Sequence, residues 1–382
     1  MLTPRTTLTR RIIAALDASP SRIPVLLGGC GSGRTTLLHQ IRERLGRSQS
    51  QYIDVERTAT TPERFLKSVS SASPFAAPAA PMGARASFDA TLAFLTKTRA
   101  TGSEPVTFLL DEFLELRTFE SFPGLRRVLF DLVDGLAESG NRFILTSRYT
   151  ARALRLLRDR SSRFEVIHVP GFTAEDTLSL LDATGGAPAD AEFTARTVQA
   201  LADGRPAYAE ALAGELRRTR EQGGPGGDDA VSALVAQMAP GGRIAQFCNF
   251  CYELRLHRAR GYGALKAILE ILADEEGLTL TEISLRLQRT PGSTKDYLSW
   301  LEDVDLVVSR QKRYSYTDPL LRVWVRLHCG PMPPTEEDLA REVHRYALPR
   351  LPQPAEPALV MAGAGAPPPD DDRKPWGIIE ID

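Results

Sequence analysis

Over its first half the chain alternates short apolar runs with stretches whose apolar residues recur every three or four positions. Val25-Leu26-Leu27 and Val106-Thr-Phe-Leu-Leu110 carry no polar face, as strands buried on both sides of a parallel sheet do. Gln51–Val55, Arg142–Arg148 and Phe164–Val169 read as further strands. Between them the spacing predicts a helix over 6–17, with Leu8, Ile12, Ile13 and Leu16 roughly at helical spacing, and another from Thr35 to about Leu45. A third opens with Thr61 as N-cap and Pro62 at the first helical position. Helices at Ser87–Lys97, 124–138 and 150–159 follow, after an Ala-, Pro- and Ser-rich excursion at 71–85. Strands alternating with helices imply a parallel sheet covered on both faces.

From Thr173 the pattern becomes all-helical, opening on the capping sequence Thr173-Ala-Glu-Asp176. Helices run to about Arg220, and after a Gly- and Pro-rich loop at 223–229 they resume over 229–238 and 243–257. A different organisation starts at Gly261. A helix over 262–274, the stretch Thr279–Leu287, a turn at 289–292 and a helix over 293–303 precede two strands, Val304–Arg310 and Arg313–Thr317. Three helices with a β-hairpin make a winged helix-turn-helix. The expected divisions are an α/β domain at 1–171, a helical lid at 172–257, the winged helix at 258–330 and a Pro-rich, acidic tail at 331–382, with a helix near 335–346.

Composition narrows the function classes. A chain of 382 residues has room for two or three domains. Its 42% hydrophobic and 25% charged residues are those of a soluble globular protein. A net charge of −1 provides no overall attraction for nucleic acid, so any basic surface is local. No apolar run is long enough for a bilayer, and Met1–Arg11 lacks a following apolar signal core. Four cysteines are too few for a disulfide scaffold, so a reducing cytoplasmic setting is expected. Cys248-x-x-Cys251 with His257 lacks a second close ligand pair for zinc and reads as packing within a helix.

The chemistry concentrates in Gly28-Gly29-Cys30-Gly31-Ser32-Gly33-Arg34-Thr35-Thr36. A buried strand, a glycine-rich loop and a helix start make a phosphate cradle of the form G-x-x-x-x-G-K-[ST], with Arg34 in the lysine position. The loop amides and the positive helix end bind phosphate. Arginine keeps the charge but has a larger, planar head, so slow hydrolysis is expected. Asp111-Glu112 ends an apolar strand, with Asp111 and Thr35 placed to hold Mg²⁺ and Glu112 to polarise an attacking water. Thr146 ends the next strand, within reach of the γ-phosphate or that water.

Together with the run Arg160-Ser-Ser162-Arg163-Phe164 and a helical lid, these residues resemble the AAA+ ATPases, in particular initiator and clamp-loader proteins, archaeal-type ATPases and STAND switches. The resemblance implies a P-loop αβα sandwich, ATP or ADP with Mg²⁺ as ligand, and ATP-dependent homo-oligomers. It gives Arg163, with Arg160 in reserve, the role of an arginine finger reaching a neighbouring subunit. Gly204-Arg205-Pro206 matches the lid motif that senses nucleotide in the archaeal-type group, which makes Arg205 a sensor.

Residues 262–328 likewise resemble the C-terminal winged helix of the archaeal-type ATPases, through Tyr262, Ala267, Glu282, Tyr297, Asp305, Asp318 and Trp324. Such a module would meet double-stranded DNA through Arg289, Ser293, Thr294, Lys295, Arg310, Lys312 and Arg313, or would dock a protein instead. The tail segment Trp376-Gly-Ile-Ile-Glu-Ile381 is a candidate strand for a protein partner's sheet edge. Two function classes remain open: an ATPase whose nucleotide state moves the winged helix, and a non-hydrolysing adaptor that holds its nucleotide.

Overall fold

Strands β1 (Ile23–Leu27), β2 (Ser50–Asp54), β3 (Thr107–Asp111), β4 (Arg142–Ser147) and β5 (Phe164–His168) form one parallel sheet in the order β2-β3-β4-β1-β5. The computed structural model describes residues 5–76, 81–100, 104–183, 190–223, 229–257 and 261–352. Every residue of β1 and β3 is buried, the physical basis of their unbroken apolar runs. On one face lie α1 (Thr6–Leu16) and α2 (Arg34–Leu45). Their Ile12, Leu16, Leu37, Leu38 and Ile41 pack with Leu26, Leu109, Ile144 and Ile167 of the sheet. Beyond the four-residue α3 (Val55–Thr58), the other face is covered by α4 (Pro62–Ser71), α5 (Ala84–Lys97) and α6 (Val128–Glu138); Phe94 of α5 packs on Phe108, which stacks on Phe143. The layers are helix, sheet, helix: the αβα sandwich.

Local chemistry explains most boundaries. Thr61 accepts the Arg64 amide at 3.3 Å and Pro62 follows it, so α4 begins where expected. The helix expected from 124 starts later, at Val128. Before it the chain takes a 3-10 path over Phe113–Ser121 that buries Phe113, Leu116 and Phe119, residues without helical or strand periodicity. After α7 (Thr150–Leu157) come the helices α8 (Ala174–Ala183), α9 (Ala191–Leu201), α10 (Pro206–Glu221), α11 (Ala230–Met238) and α12 (Arg243–Leu256).

Next in order are α13 (Tyr262–Asp274), β6 (Leu278–Thr279), α14 (Leu280–Leu287), α15 (Pro291–Asp303), β7 (Val307–Arg310) and β8 (Arg313–Tyr316), the three strands forming an antiparallel sheet β6-β8-β7. Helix α15 begins two residues earlier than its spacing suggests, because Thr290 caps it and Pro291 fits its first turn. Helix α16 (Pro319–His328) follows and was not anticipated as a separate element; Asp318 accepts the amides of Leu320 and Leu321. Helix α17 (Glu336–Ala347) starts on a capping box between Thr335 and Asp338. The tail segment Trp376–Ile381 lies outside the described residues.

Residues 1–351 form one compact unit, and a few polar contacts bind its C-terminal elements to the sheet domain. Asp305 caps the start of α7 through the amides of Thr150 and Ala151, and Asp303 pairs with Arg155. Burial pushes the Asp305 carboxyl up to about 6, against the pull of Arg255 and the two amides. A carboxyl raised on folding contributes stability below its unfolded value near 4, and loses that contribution as pH rises through about 6. Asp305→Asn keeps an acceptor for the cap and cannot ionise. Chemical denaturation should therefore find it more stable than wild type at pH 8, by up to about 3 kcal/mol, with the gain gone at pH 4.

Candidate nucleotide site

The strand order assembles the site. β4 lies between β1 and β3, so the carboxyl ends of all three are adjacent. Leu26 pairs with Thr146 and Leu27 with Ser147, while Leu110 pairs with Leu145, which sets Asp111 level with Thr146. From Leu27 the chain turns through Gly28–Gly33 into α2. Gly31 and Gly33 sit at φ +76° and +81°, where a side chain is strained. A cavity of about 220 Å³ opens on this loop, lined by Gly31, Ser32, Gly33, Thr35, Thr36 and, from α10, Glu210. The unpaired amides at the start of α2 belong to that wall and make it suited to an anion.

Asp111 is a buried hub. Its Oδ2 accepts the Thr35 hydroxyl at 2.6 Å and the Tyr52 hydroxyl at 2.9 Å, and its Oδ1 accepts Thr146. Thr146 in turn accepts the Glu112 amide at 3.0 Å. Thr35 and Asp111 are hard oxygen donors at the edge of the loop, a set that fits Mg²⁺. Burial pushes the Tyr52 phenol up, reinforced by Asp111, so it stays a donor.

Glu112 departs from a simple water-activating residue. It leaves β3 at φ +55°, and its carboxylate is buried between two arginines. Arg34 Nη2 lies 2.5 Å from Oε1, while the Arg148 amide donates to Oε2 at 3.0 Å and Arg148 Nε lies 3.2 Å from it. Burial alone would raise this carboxyl, but Arg34 and Arg148 outweigh it and hold the group below the usual carboxylate range. Arg148 also pairs with Glu56, so charge alternates along Arg34, Glu112, Arg148 and Glu56.

Arg34, expected to face phosphate, lines the loop cavity, and its Nη1 donates to the Gly29 carbonyl at 2.6 Å, to Ser32 Oγ at 3.0 Å and to the Gly28 carbonyl. A lysine ammonium has no second arm with which to hold the loop and Glu112 together. Arg205, expected as a sensor, is a strut. It donates to the Cys30 carbonyl of the loop and to the Thr317 carbonyl, both at 3.0 Å, and lies 3.4 Å from Asp318. Arg255 of α12 also reaches the loop, donating to Cys30 Sγ at 3.1 Å and to the Asp305 carbonyl.

Two expectations need correction. Arg163 lies at the opposite end of the sheet, beside the start of β1, and its guanidinium donates to the carbonyls of Ser21, Ala137 and Ser139. Within its own chain it is a clamp on those three carbonyls. Arg160 likewise pairs with Asp134. Thr294 is fully buried, with its hydroxyl on the Thr290 carbonyl, and offers nothing to a phosphate. Ser293 is half-buried and bonds back to Thr290. Lys295, Arg310, Lys312 and Arg313 are exposed, although Arg313 also donates to the Gly277 carbonyl; Arg289 lies over the Tyr297 ring.

The structure thus brings together Gly28–Thr36, Asp111, Glu112, Thr146 and Arg205. Arg148, Glu56, Tyr52 and Arg255 join them unforeseen. Arg148 follows Thr146-Ser147 directly, but its sequence context marks only a basic helix start. No protein-family model matches the chain, and no curated protein does. Among solved structures, the Walker-type ATPase paby2304 of Pyrococcus abyssi superposes with a TM-score of 0.60 at 16% identity, over 85% of this chain and 96% of that one. The chain shares the fold of that Walker-type ATPase, a parallel sheet between two helical layers with a P-loop after its first strand. Aeropyrum pernix Orc1 in complex with DNA (TM-score 0.47, 16% identity, 90% and 93% covered) and a Thermotoga maritima RuvB variant (0.43, 13%, 87% and 96%) are more distant. No helix among the described residues is long and apolar enough to cross a membrane.

Proposed function

We propose that this AAA+-fold chain is a slow ATPase switch, with ATP bound between the sheet domain (1–171) and the helical lid (172–257). The observation that carries the reading is the junction of Arg34, Glu112 and Arg148 at the mouth of a P-loop. Glu112 is ionised, as a water-activating group must be, and the Arg34 guanidinium pairs with it. Phosphate oxygens compete for the same guanidinium. Once Arg34 turns to them, Glu112 is left with Arg148 alone and can take a proton from water. Thr146 holds Asp111 and the Glu112 backbone in register during that exchange. Thr35 and Asp111 would hold Mg²⁺, which neutralises charge on the phosphate oxygens when bound.

The output runs through Arg205, Arg255 and Asp305, which link the loop, the lid and the winged-helix elements at 258–330. A change at Cys30 in the loop would be felt at both Thr317 and Asp305. The target is DNA or a protein, and Lys295, Arg310, Lys312 and Arg313 supply the cationic surface for DNA. The double variant Lys312→Ala/Arg313→Ala should weaken duplex binding and lower its salt slope by about 2. Binding of unchanged strength and slope removes the hairpin from the account.

The second reading, an adaptor that holds nucleotide without hydrolysing it, is favoured by the bonds of Arg34 to the loop's own carbonyls. Phosphate release from ATP, measured with and without duplex DNA, separates the two. Stoichiometric nucleotide binding with no turnover under either condition establishes the adaptor.

A further inference from the structure

Arg5 has no role in the nucleotide site as described so far. Its guanidinium lies over the Phe172 ring, 5.1 Å from the centroid. Nη1 and Nη2 are both shielded from solvent and have no hydrogen-bond partner among the described residues. The buried guanidinia of Arg34, Arg205 and Arg255, by contrast, each have both Nη atoms hydrogen-bonded. Burial lowers the pKa of Arg5, and Asp176 opposes that shift; an arginine so placed remains a cation. Two charged donors shielded from water and unmatched by protein are costly, and they point to a ligand acceptor.

The acceptor's place is marked by a second compartment. Arg5, Phe172, Gln40 and Leu37 line a narrow cavity that shares Gly33, Thr36, Pro206 and Glu210 with the loop cavity. The two follow one another along the start of α2. The loop compartment is polar and about 220 Å³. The second holds an aromatic ring, a leucine and a proline beside donor groups, which is the chemistry of a nucleobase subsite. At about 20 Å³ it takes little more than a water, so entry of a base requires α10, which carries Pro206 and Glu210, to swing outward.

We propose that Arg5 reads the purine base of the bound nucleotide, donating to N7 from its platform on Phe172. The inference rests on the nucleotide reading above. Guanidinium is donor-only, N7 is an acceptor common to adenine and guanine, and pyrimidines have no such atom. Adenine and guanine therefore both satisfy Arg5, guanine with O6 as a second acceptor.

The test is equilibrium binding of ATP, GTP and 7-deaza-ATP to wild type and to Arg5→Ala, with circular dichroism confirming that the variant is folded. Wild type should bind 7-deaza-ATP about tenfold more weakly than ATP, and GTP at least as well as ATP. Arg5→Ala should lose about tenfold for ATP and make no distinction between ATP and 7-deaza-ATP. A merely structural Arg5 would weaken both ligands equally and preserve their ratio. A preference for ATP over 7-deaza-ATP that survives in Arg5→Ala overturns the proposal, and so does a wild type that shows no preference. Wild type that binds none of the three defeats the nucleotide reading itself.

Discussion

Glutamine at position 112 stops turnover and tightens nucleotide binding. The loss follows from removing the carboxylate proposed to take a proton from the attacking water; phosphate release should fall by about 10²–10³-fold. The tightening follows from Arg34. In the wild-type chain its Nη2 is held 2.5 Å from Glu112, and phosphate must draw it away from a buried anion. A neutral amide exerts a much weaker pull, so more of the guanidinium's attraction is available to nucleotide. A fluorescent nucleotide titration should show affinity improved several-fold over wild type. A variant that binds more weakly would mean that Arg34 never moves toward the phosphates, and one with undiminished turnover would remove Glu112 from catalysis.

Arg148→Met should be among the most destabilising single changes near the site. Arg148 lies between Glu112 and Glu56 with its side chain only 5% exposed. Removing one partner of a buried pair strands the others, at a cost of about 3–5 kcal/mol. The thermal midpoint should fall on the order of 10 °C. The pH dependence has a definite sign. Burial already raises the Glu56 carboxyl, against Arg148; without that guanidinium it rises further, so the variant gains stability as pH falls through the raised value. Wild-type Glu112 is depressed, and its contribution is lost as pH falls through its folded value. The two proteins should therefore converge in denaturant unfolding as pH falls from 7 to below 4.5. A deficit that stays constant with pH would mean the damage is steric, not electrostatic.

How far sequence reaches depends on whether a residue's role is local. The P-loop, Asp111 and Thr146 are legible because each sits at the end of a strand, where chain direction and apolar periodicity set the address. Thr61, Thr335 and the strands β1 and β3 are local in the same sense. Arg148 and Glu56 are not: 92 residues separate them, and the strand order β2-β3-β4 makes them partners. Arg163 shows the opposite failure. Its Ser-Arg setting fits a finger, but the carbonyls it clamps come from Ser21 and the end of α6, which no short window contains. Thr294 falls on the inner face of α15 because it lies four and seven residues before Leu298 and Leu301, which are both fully buried, a stripe that its polar hydroxyl disguises.

The most direct test of the account is ATP turnover by Arg34→Lys against wild type, both at saturating Mg²⁺-ATP. Lysine keeps the charge in the P-loop but cannot bond the loop carbonyls and Glu112 together, so Glu112 is released. The account predicts a turnover rate about tenfold above wild type, equivalent to about 1.4 kcal/mol of barrier. A rate equal to or below wild type would contradict the claim that Arg34 restrains the site.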